Sequence, residues 1–212
     1  MKISEIFLSI NGESKYSGMR TIFIRAFGCN LRCSYCDSLY AIEGEEYKEL
    51  SVDYILQYIR QYNCKRVTYT GGEPILQDDA KELVTRLLNE GYFVEIETNG
   101  AVDISPYAKY DNVLITMDWK CPSSKMNKAM LHKNLDLLRS SDVIKFVVGS
   151  QEDLQEMESI SLMTLAETYV SPVFGAIELK DIAEYVINNG LNDVRMQLQT
   201  HKFIWDKDMR GV

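Results

Sequence analysis

Short apolar, β-rich runs alternate with amphipathic stretches along the whole chain. The runs fall at 20–27 (RTIFIRAF), 66–70, 92–97, 112–119, 142–148, 168–174 and 194–199. Helical periodicity fills 51–62, 78–91, 129–141, 151–162 and 178–190. In 78–91, Ala80, Leu83, Val84, Leu87 and Leu88 recur at i, i+3, i+4, i+7 and i+8, which is one face of a helix, and Gly91 supplies a C-cap. Ile182, Val186 and the closing Gly190 repeat this in 178–190. Alternating strand and helix predicts parallel strands joined by right-handed crossovers. The count gives about six βα units, fewer than the eight of a closed barrel. The expected fold is α/β, a partial, open (βα)6-like barrel of parallel strands with helices outside; a doubly wound sheet fits the same pattern. No Pro/Gly-rich linker or low-complexity segment interrupts 1–212, so one domain is expected.

In either architecture active-site residues lie just past the C-terminal ends of the strands. The chemically loaded motifs sit there. GCNLRCSYCDS (28–38) follows the first run, TGGEP (70–74) the second, ETNG (97–100) the third and DWKCPSS (118–124) the fourth.

Composition narrows the classes. Apolar residues make up 46% of the 212 and charged residues 25%, as in a globular chain. A net charge of −8 suits a nucleic-acid clamp poorly, because phosphate affinity comes from Lys and Arg. No apolar run approaches the roughly 20 residues that span a bilayer. Residues 1–12 read as a short amphipathic stretch with acid in it, without the apolar core of a signal peptide, so a cytoplasmic protein is expected.

Five cysteines, Cys29, Cys33, Cys36, Cys64 and Cys121, are an odd number in a chain that is not small and secreted, which argues against a disulfide framework. Three of them crowd into Cys-x3-Cys-x2-Cys, and thiolates suit zinc or iron–sulfur clusters. A structural zinc site needs a fourth ligand. Cys64, Cys121, His132 and His201 are the candidates, and none has a partner at zinc-knuckle spacing. A Cys33–Cys36 redox pair leaves Cys29 unexplained. Three thiolates can instead hold three irons of a [4Fe–4S] cluster and leave the fourth iron open, whereas ordinary electron-transfer clusters take four cysteines. Cys121, beside Lys120, is expected to be oxidation-prone.

Cys-x3-Cys-x2-Cys after a first strand, with TGGEP after the second, resembles the radical S-adenosylmethionine superfamily. EIFLSINGESKYSGMRTIFIRAFGCNLRCSYCDS, together with TGGEPILQ, ETNG, KFVV and LQTHK, resembles the 7-carboxy-7-deazaguanine synthase family, collinearly over essentially the whole chain. The resemblance implies that 6-carboxy-5,6,7,8-tetrahydropterin is rearranged to 7-carboxy-7-deazaguanine with loss of ammonia, toward queuosine-type bases. A reduced cluster would cleave S-adenosylmethionine to a hydrogen-abstracting radical, and Mg2+ would assist.

Carried over by position, Cys29, Cys33 and Cys36 bind the cluster. Ser38 is the protein ligand to Mg2+, with Asp37 orienting that shell; a helix N-cap is the plainer reading of Asp37-Ser38. Arg25, a planar fork suited to a carboxylate, holds that of the substrate. Ile10, Asn11, Gly12, Glu13 and Thr70 meet the pterin. Gly72, Glu73, Asn99, Asp118, Trp119, Lys120, Ser171 and Phe174 lie along S-adenosylmethionine. Gly71 and Gly72 let the backbone approach a ligand closely.

Three departures stand out. Asn11-Gly12-Glu13-Ser14 replaces Gln-Gly-Glu-Gly, Asp118-Trp119-Lys120 replaces Ser-Pro-Lys, and Ser171-Pro172-Val173-Phe174 replaces a Gln-Pro-x-Asp-like stretch. The resemblance also implies a homodimer and a flavodoxin-like or other reductant, with no direct nucleic-acid or membrane partner. The rivals are a radical S-adenosylmethionine activase acting on a partner protein and a zinc- or cluster-binding module.

Overall fold

The computed structural model describes residues 1–206 and 209–212. Each of the seven apolar runs forms a strand. They are β2 (Arg20–Ala26), β4 (Arg66–Gly71), β5 (Phe93–Thr98), β6 (Val113–Trp119), β7 (Val143–Val148), β8 (Glu167–Pro172) and β9 (Val194–Met196). Two strands are additional, β1 (Lys2–Ile10) and the short β3 (Lys48–Glu49). The stretch read as merely amphipathic at 1–12 is thus a strand over Lys2–Ile10, and its signal is the recurrence of Ile6, Leu8 and Ile10 at every second position.

Among the described residues the strands make one sheet in the order β3-β1-β2-β4-β5-β6-β7-β8-β9. β1 is antiparallel to β2 and β3, and every pairing from β2 to β9 is parallel. Each new parallel strand adds to the same edge. A doubly wound sheet reverses its strand order instead, so this is the course of a barrel left open between β3 and β9.

Four crossovers carry helices: α1 (Val52–Ile59), α2 (Ala80–Asn89), α3 (Gln151–Ser161) and α4 (Leu179–Asn188); α5 (His201–Ile204) follows β9. The helix expected at 129–141 is replaced by 3-10 turns at Asn127–Ala129 and His132–Leu137. Buried Asn134 accounts for this. It donates to Gly100 O and Val102 O at 3.1 and 2.8 Å and binds the loop after β5, a tertiary demand that overrides helical periodicity.

Side chains alternate across each strand. One set, including Ile22, Ile24, Tyr69, Ile96, Met117 and Phe146, joins Ile55, Leu56, Leu83 and Leu87 of α1 and α2 in one core. Burying each such side chain contributes about 1.5–3 kcal/mol. The opposite set is polar where the strands end: Arg25, Thr70, Glu97, Asp118, Lys145 and Ser171 stand on successive parallel strands. Arg25 registers beside Thr70, and Asp118 beside Lys145. A charged layer inside a fold opposes stability unless its groups are paired, so this layer marks the place to look for chemistry.

Candidate active site

Three segments converge on the polar layer. The first is the β1–β2 connection. Asn11 Nδ2 donates to Glu95 Oε2 at 2.7 Å, and the Glu13 carboxylate meets Lys145 Nζ at 2.5 Å and accepts from Gln199 Nε2. Gly12 O accepts from Thr200 N at 3.0 Å, and a Cβ on Gly12 would fall 2.2 Å from His201 Nδ1. Only glycine lets the 197–202 segment close over this loop. Ser14 holds a left-handed φ of 62°. Its Oγ bonds Thr116 Oγ1 at 2.7 Å, while Gln197 accepts from Ser14 N at 2.6 Å and donates to Ser14 O at 2.8 Å. These bonds offset the strain of a left-handed backbone at a residue with a Cβ.

The second segment is the cysteine loop. Cys29, Cys33 and Cys36 are free, half-buried thiols bordering one cavity of about 130 Å³ together with Gly72 and Asn99. Leu31 N and Asn99 Nδ2 lie 3.3 and 3.5 Å from Cys29 Sγ. Burial pushes the Cys33 and Cys36 thiols up, and the Lys120 ammonium opposes it. Among the described residues no three His, Cys, Asp or Glu converge to hold one metal ion; thiolates of a four-iron cluster bind different irons and need not converge. At Gly71 and Gly72 a Cβ would fall 2.2 Å from Ala26 O and Gly28 O respectively. The close approach these glycines allow is therefore to the backbone that launches the cysteine loop.

The third segment is the wall formed by β1 and β2, where Arg25 Nε donates to Glu5 Oε1 at 2.7 Å. It flanks a cavity of about 800 Å³ over the polar layer. The two cavities share Ser38, Thr70, Glu97, Asp118, Lys120 and Lys145 as lining, so they adjoin.

Of the expected residues, Ile10, Asn11, Gly12, Glu13, Arg25 and the exposed Phe174 border the large cavity; Gly72 and Asn99 border the small one; Ser38, Thr70, Asp118 and Lys120 border both. Glu73, Trp119 and Ser171 border neither. Trp119 is buried, donates Nε1 to Glu156 Oε1 at 2.9 Å and meets the His132 ring edge-on at 5.1 Å. Ser171 Oγ donates to Gln197 O at 2.9 Å. Ser38 is the N-cap of a short 3-10 turn, yet its side chain makes no cap bond and donates to Asp37 Oδ1 at 3.1 Å. Cys121 is fully buried, 3.8 Å from Asp153 O, and its thiol is pushed up by burial, so it is not the accessible thiol expected.

Lys145 and Glu97 were missed as site residues. The available signal was charge inside an otherwise apolar strand, a single lysine in VIKFVV and two glutamates in FVEIET. Lys145 Nζ lies between Glu13 and Asp118 Oδ2, at 2.5 and 3.4 Å, and Lys120 reaches the same Oδ2 at 3.0 Å. Against the upward push of burial, the Lys145 ammonium keeps Glu13 ionised below the usual carboxylate range. Glu97 is pushed up to about 7 by burial, with Glu95 adding to it. Among the described residues Asp118 Oδ1 is buried without a hydrogen-bond partner. An orphaned carboxylate oxygen at the junction of two cavities fits a donor brought by a ligand.

Glu73 accepts from Thr98 Oγ1 (2.9 Å), Asn99 N (2.7 Å) and Ile75 N (3.3 Å), tying the Gly-Gly turn to the end of β5. Burial pushes it from 4.5 to about 7, against those three donors. The folded chain then keeps a proton that the unfolded chain has lost, so this group makes stability fall as pH rises from about 4.5 to about 7. Glu73→Gln is expected to remove that part of the slope, which thermal melts across the window would show; an unaltered slope would mean that Glu73 is ionised throughout.

Comparison with known proteins gives a consistent picture. The Radical SAM superfamily model matches residues 23–145. A 7-carboxy-7-deazaguanine synthase of Clostridium acetobutylicum is 44% identical, covering 100% of this chain and 99% of its own. One from Methanospirillum hungatei is 42% identical over 96% of this chain and 85% of its own. The crystal structure of QueE from Escherichia coli superposes with a TM-score of 0.77 at 22% identity, covering 93% and 92% of the two chains, a likeness of fold.

Proposed function

The chain belongs to the 7-carboxy-7-deazaguanine synthase family of the radical S-adenosylmethionine superfamily, and from that premise we propose how its residues divide the work. The enzyme is a radical S-adenosylmethionine lyase that converts 6-carboxy-5,6,7,8-tetrahydropterin to 7-carboxy-7-deazaguanine with loss of ammonia. The observation that carries the division is the junction of the two cavities: one is rimmed by three thiols, the other by Arg25 and Glu13, and Asp118 and Lys145 border both.

Cys29, Cys33 and Cys36 hold the [4Fe–4S] cluster, and Gly72, Asn99, Asp118 and Lys120 lie along S-adenosylmethionine. When bound, cluster and cofactor supply the hydrogen-abstracting radical chemistry. The remaining work belongs to the chain. Arg25 takes the substrate carboxylate. Glu13, kept ionised by Lys145, accepts from the pterin's N–H donors, with Asn11 and Thr70 alongside. Ser38, whose hydroxyl makes no cap bond, is the protein ligand to Mg2+; a weak single ligand suits an ion that keeps waters and substrate oxygens. Glu73 and Trp119 support the site from the protein side.

One domain, 1–212, carries this activity. A homodimer is supported by exposed Ile187, Met196, Leu198 and Phe203 at the open edge. A flavodoxin-like or similar reductant and a cytoplasmic location complete the reading. None of the described helices is long and apolar enough to cross a membrane.

Anaerobic reconstitution followed by incubation with the carboxylated tetrahydropterin, S-adenosylmethionine, reductant and Mg2+ tests this. About four irons per chain and formation of the deazaguanine are expected. S-adenosylmethionine cleavage without that product would point to another substrate, such as an activase's partner protein; one tightly held zinc without cleavage would sink the enzyme reading.

A further inference from the structure

β1 carries a bulge. Ile3 pairs with Ala26, yet Glu5 pairs with Arg25, so Ser4 is an extra residue. Among the described residues the Ser4 hydroxyl is buried with no hydrogen-bond partner. In unbroken register Ser4 would oppose Arg25, and Glu5 would oppose Ile24 in the core. A one-residue shift moves every following side chain to the other face, and bulges beside active sites re-aim side chains in this way. Here the shift brings Glu5 and Phe7 to the cavity side with Arg25 and Phe23, and the two phenylalanine rings stack at 5.0 Å.

Glu5 Oε1 accepts from Arg25 Nε at 2.7 Å and from Tyr40 OH at 2.9 Å. The Arg25 and Glu5 side chains are only 17% and 18% exposed. Among the described residues the two Nη groups of Arg25 have no hydrogen-bond partner. A structural ion pair is best made with two parallel N–H bonds. This pair engages the guanidinium through Nε and leaves the Nη donors open.

We propose that Glu5 is a positioning residue for substrate recognition: it holds Arg25 by Nε so that the Nη pair faces the cavity as a fork for the substrate carboxylate. This rests on the reading of Arg25 as the carboxylate anchor. Tyr40 fixes Glu5 in turn, and the Arg210 guanidinium lies 3.9 Å from its ring centroid. Because Glu5 cancels the charge of Arg25, the site recognises a planar carboxylate by donor geometry more than by net charge.

The test compares Glu5→Ala, which removes the anchor, with Glu5→Gln, which keeps an acceptor oxygen without the charge. KM for the carboxylated pterin is expected to rise about 10- to 100-fold in Glu5→Ala and to stay within about threefold in Glu5→Gln. KM for S-adenosylmethionine and iron content should hold in both. An unmoved pterin KM in Glu5→Ala would overturn the proposal, as would a fall in both variants, which is the signature of a group that only neutralises Arg25. If Glu5→Ala does not fold, Tyr40→Phe carries the test: a raised pterin KM supports the proposal and an unchanged one overturns it. Absence of product from the wild-type enzyme would overturn the substrate reading and this proposal together, whereas wild-type turnover with an unmoved variant KM overturns the proposal alone.

Discussion

Lys145→Met is expected to abolish useful turnover and to destabilise the fold by about 3–5 kcal/mol, the cost of breaking a buried ion pair from one side. Methionine nearly fills the space but leaves Glu13 and Asp118 facing each other without the ammonium between them. Asp118 keeps Lys120 at 3.0 Å. Among the described residues Glu13 keeps only Gln199 as a side-chain hydrogen-bond partner, so its carboxyl takes up a proton and stops acting as an ionised acceptor. Loss of that acceptor and a shifted 11–14 loop should cut kcat/KM by about a hundredfold or more. Denaturant unfolding and steady-state kinetics check the two effects. A double-mutant cycle with Glu13→Gln separates pairing from bulk: the double variant should lose less than the two single losses added. Simple additivity would show that the two groups act independently.

Gly72→Ala should empty the cluster site without touching a cysteine. The added Cβ would sit 2.2 Å from Gly28 O and 2.6 Å from Ile42 Cγ2. Gly72 N and Glu73 N also bond Ala26 O and Gly28 O at 3.1 and 2.8 Å, so the turn and the cysteine loop are latched backbone to backbone. A flexible side chain could yield, but a backbone carbonyl yields only by moving the loop and its thiols. The expected result is overpacking of about 1–3 kcal/mol or more and loss of most of the iron and sulfide after reconstitution. A variant that loads iron normally but no longer binds S-adenosylmethionine would mean that this glycine clears space for the cofactor alone.

Much of the fold was legible as pattern. Seven apolar runs became seven strands because a strand buried on one or both faces must be apolar at the spacing the pleat imposes. Four of the five helical stretches formed α-helices for the matching reason. The failures have physical causes too. β1 carries a bulge that breaks its alternation, and 129–141 answers to Asn134 and the loop it satisfies. In the site, motif residues were legible where several chemically special residues are contiguous, as in the cysteine loop and TGGEP. Lys145, Glu97 and Glu5 were not, because each is a charge within a strand, with no special residue beside it, and it meets groups such as Glu13, Thr70 and Arg25 that lie 20 or more positions away in the chain.

The sequence by itself determined the class of architecture, the three-thiol loop, the family and the order in which the loops arrive at one end of the sheet. These depend on local periodicity and on the spacing of residues a few positions apart. Only the tertiary structure decided that the sheet stays open with a steadily advancing strand order, that Glu73 and Trp119 face the protein and not the cavities, and that Lys145 stands between Glu13 and Asp118. Those outcomes depend on which strand edges pair and in what register. Register is set by contacts between residues tens of positions apart, and a single extra residue such as Ser4 reverses the face that everything after it presents.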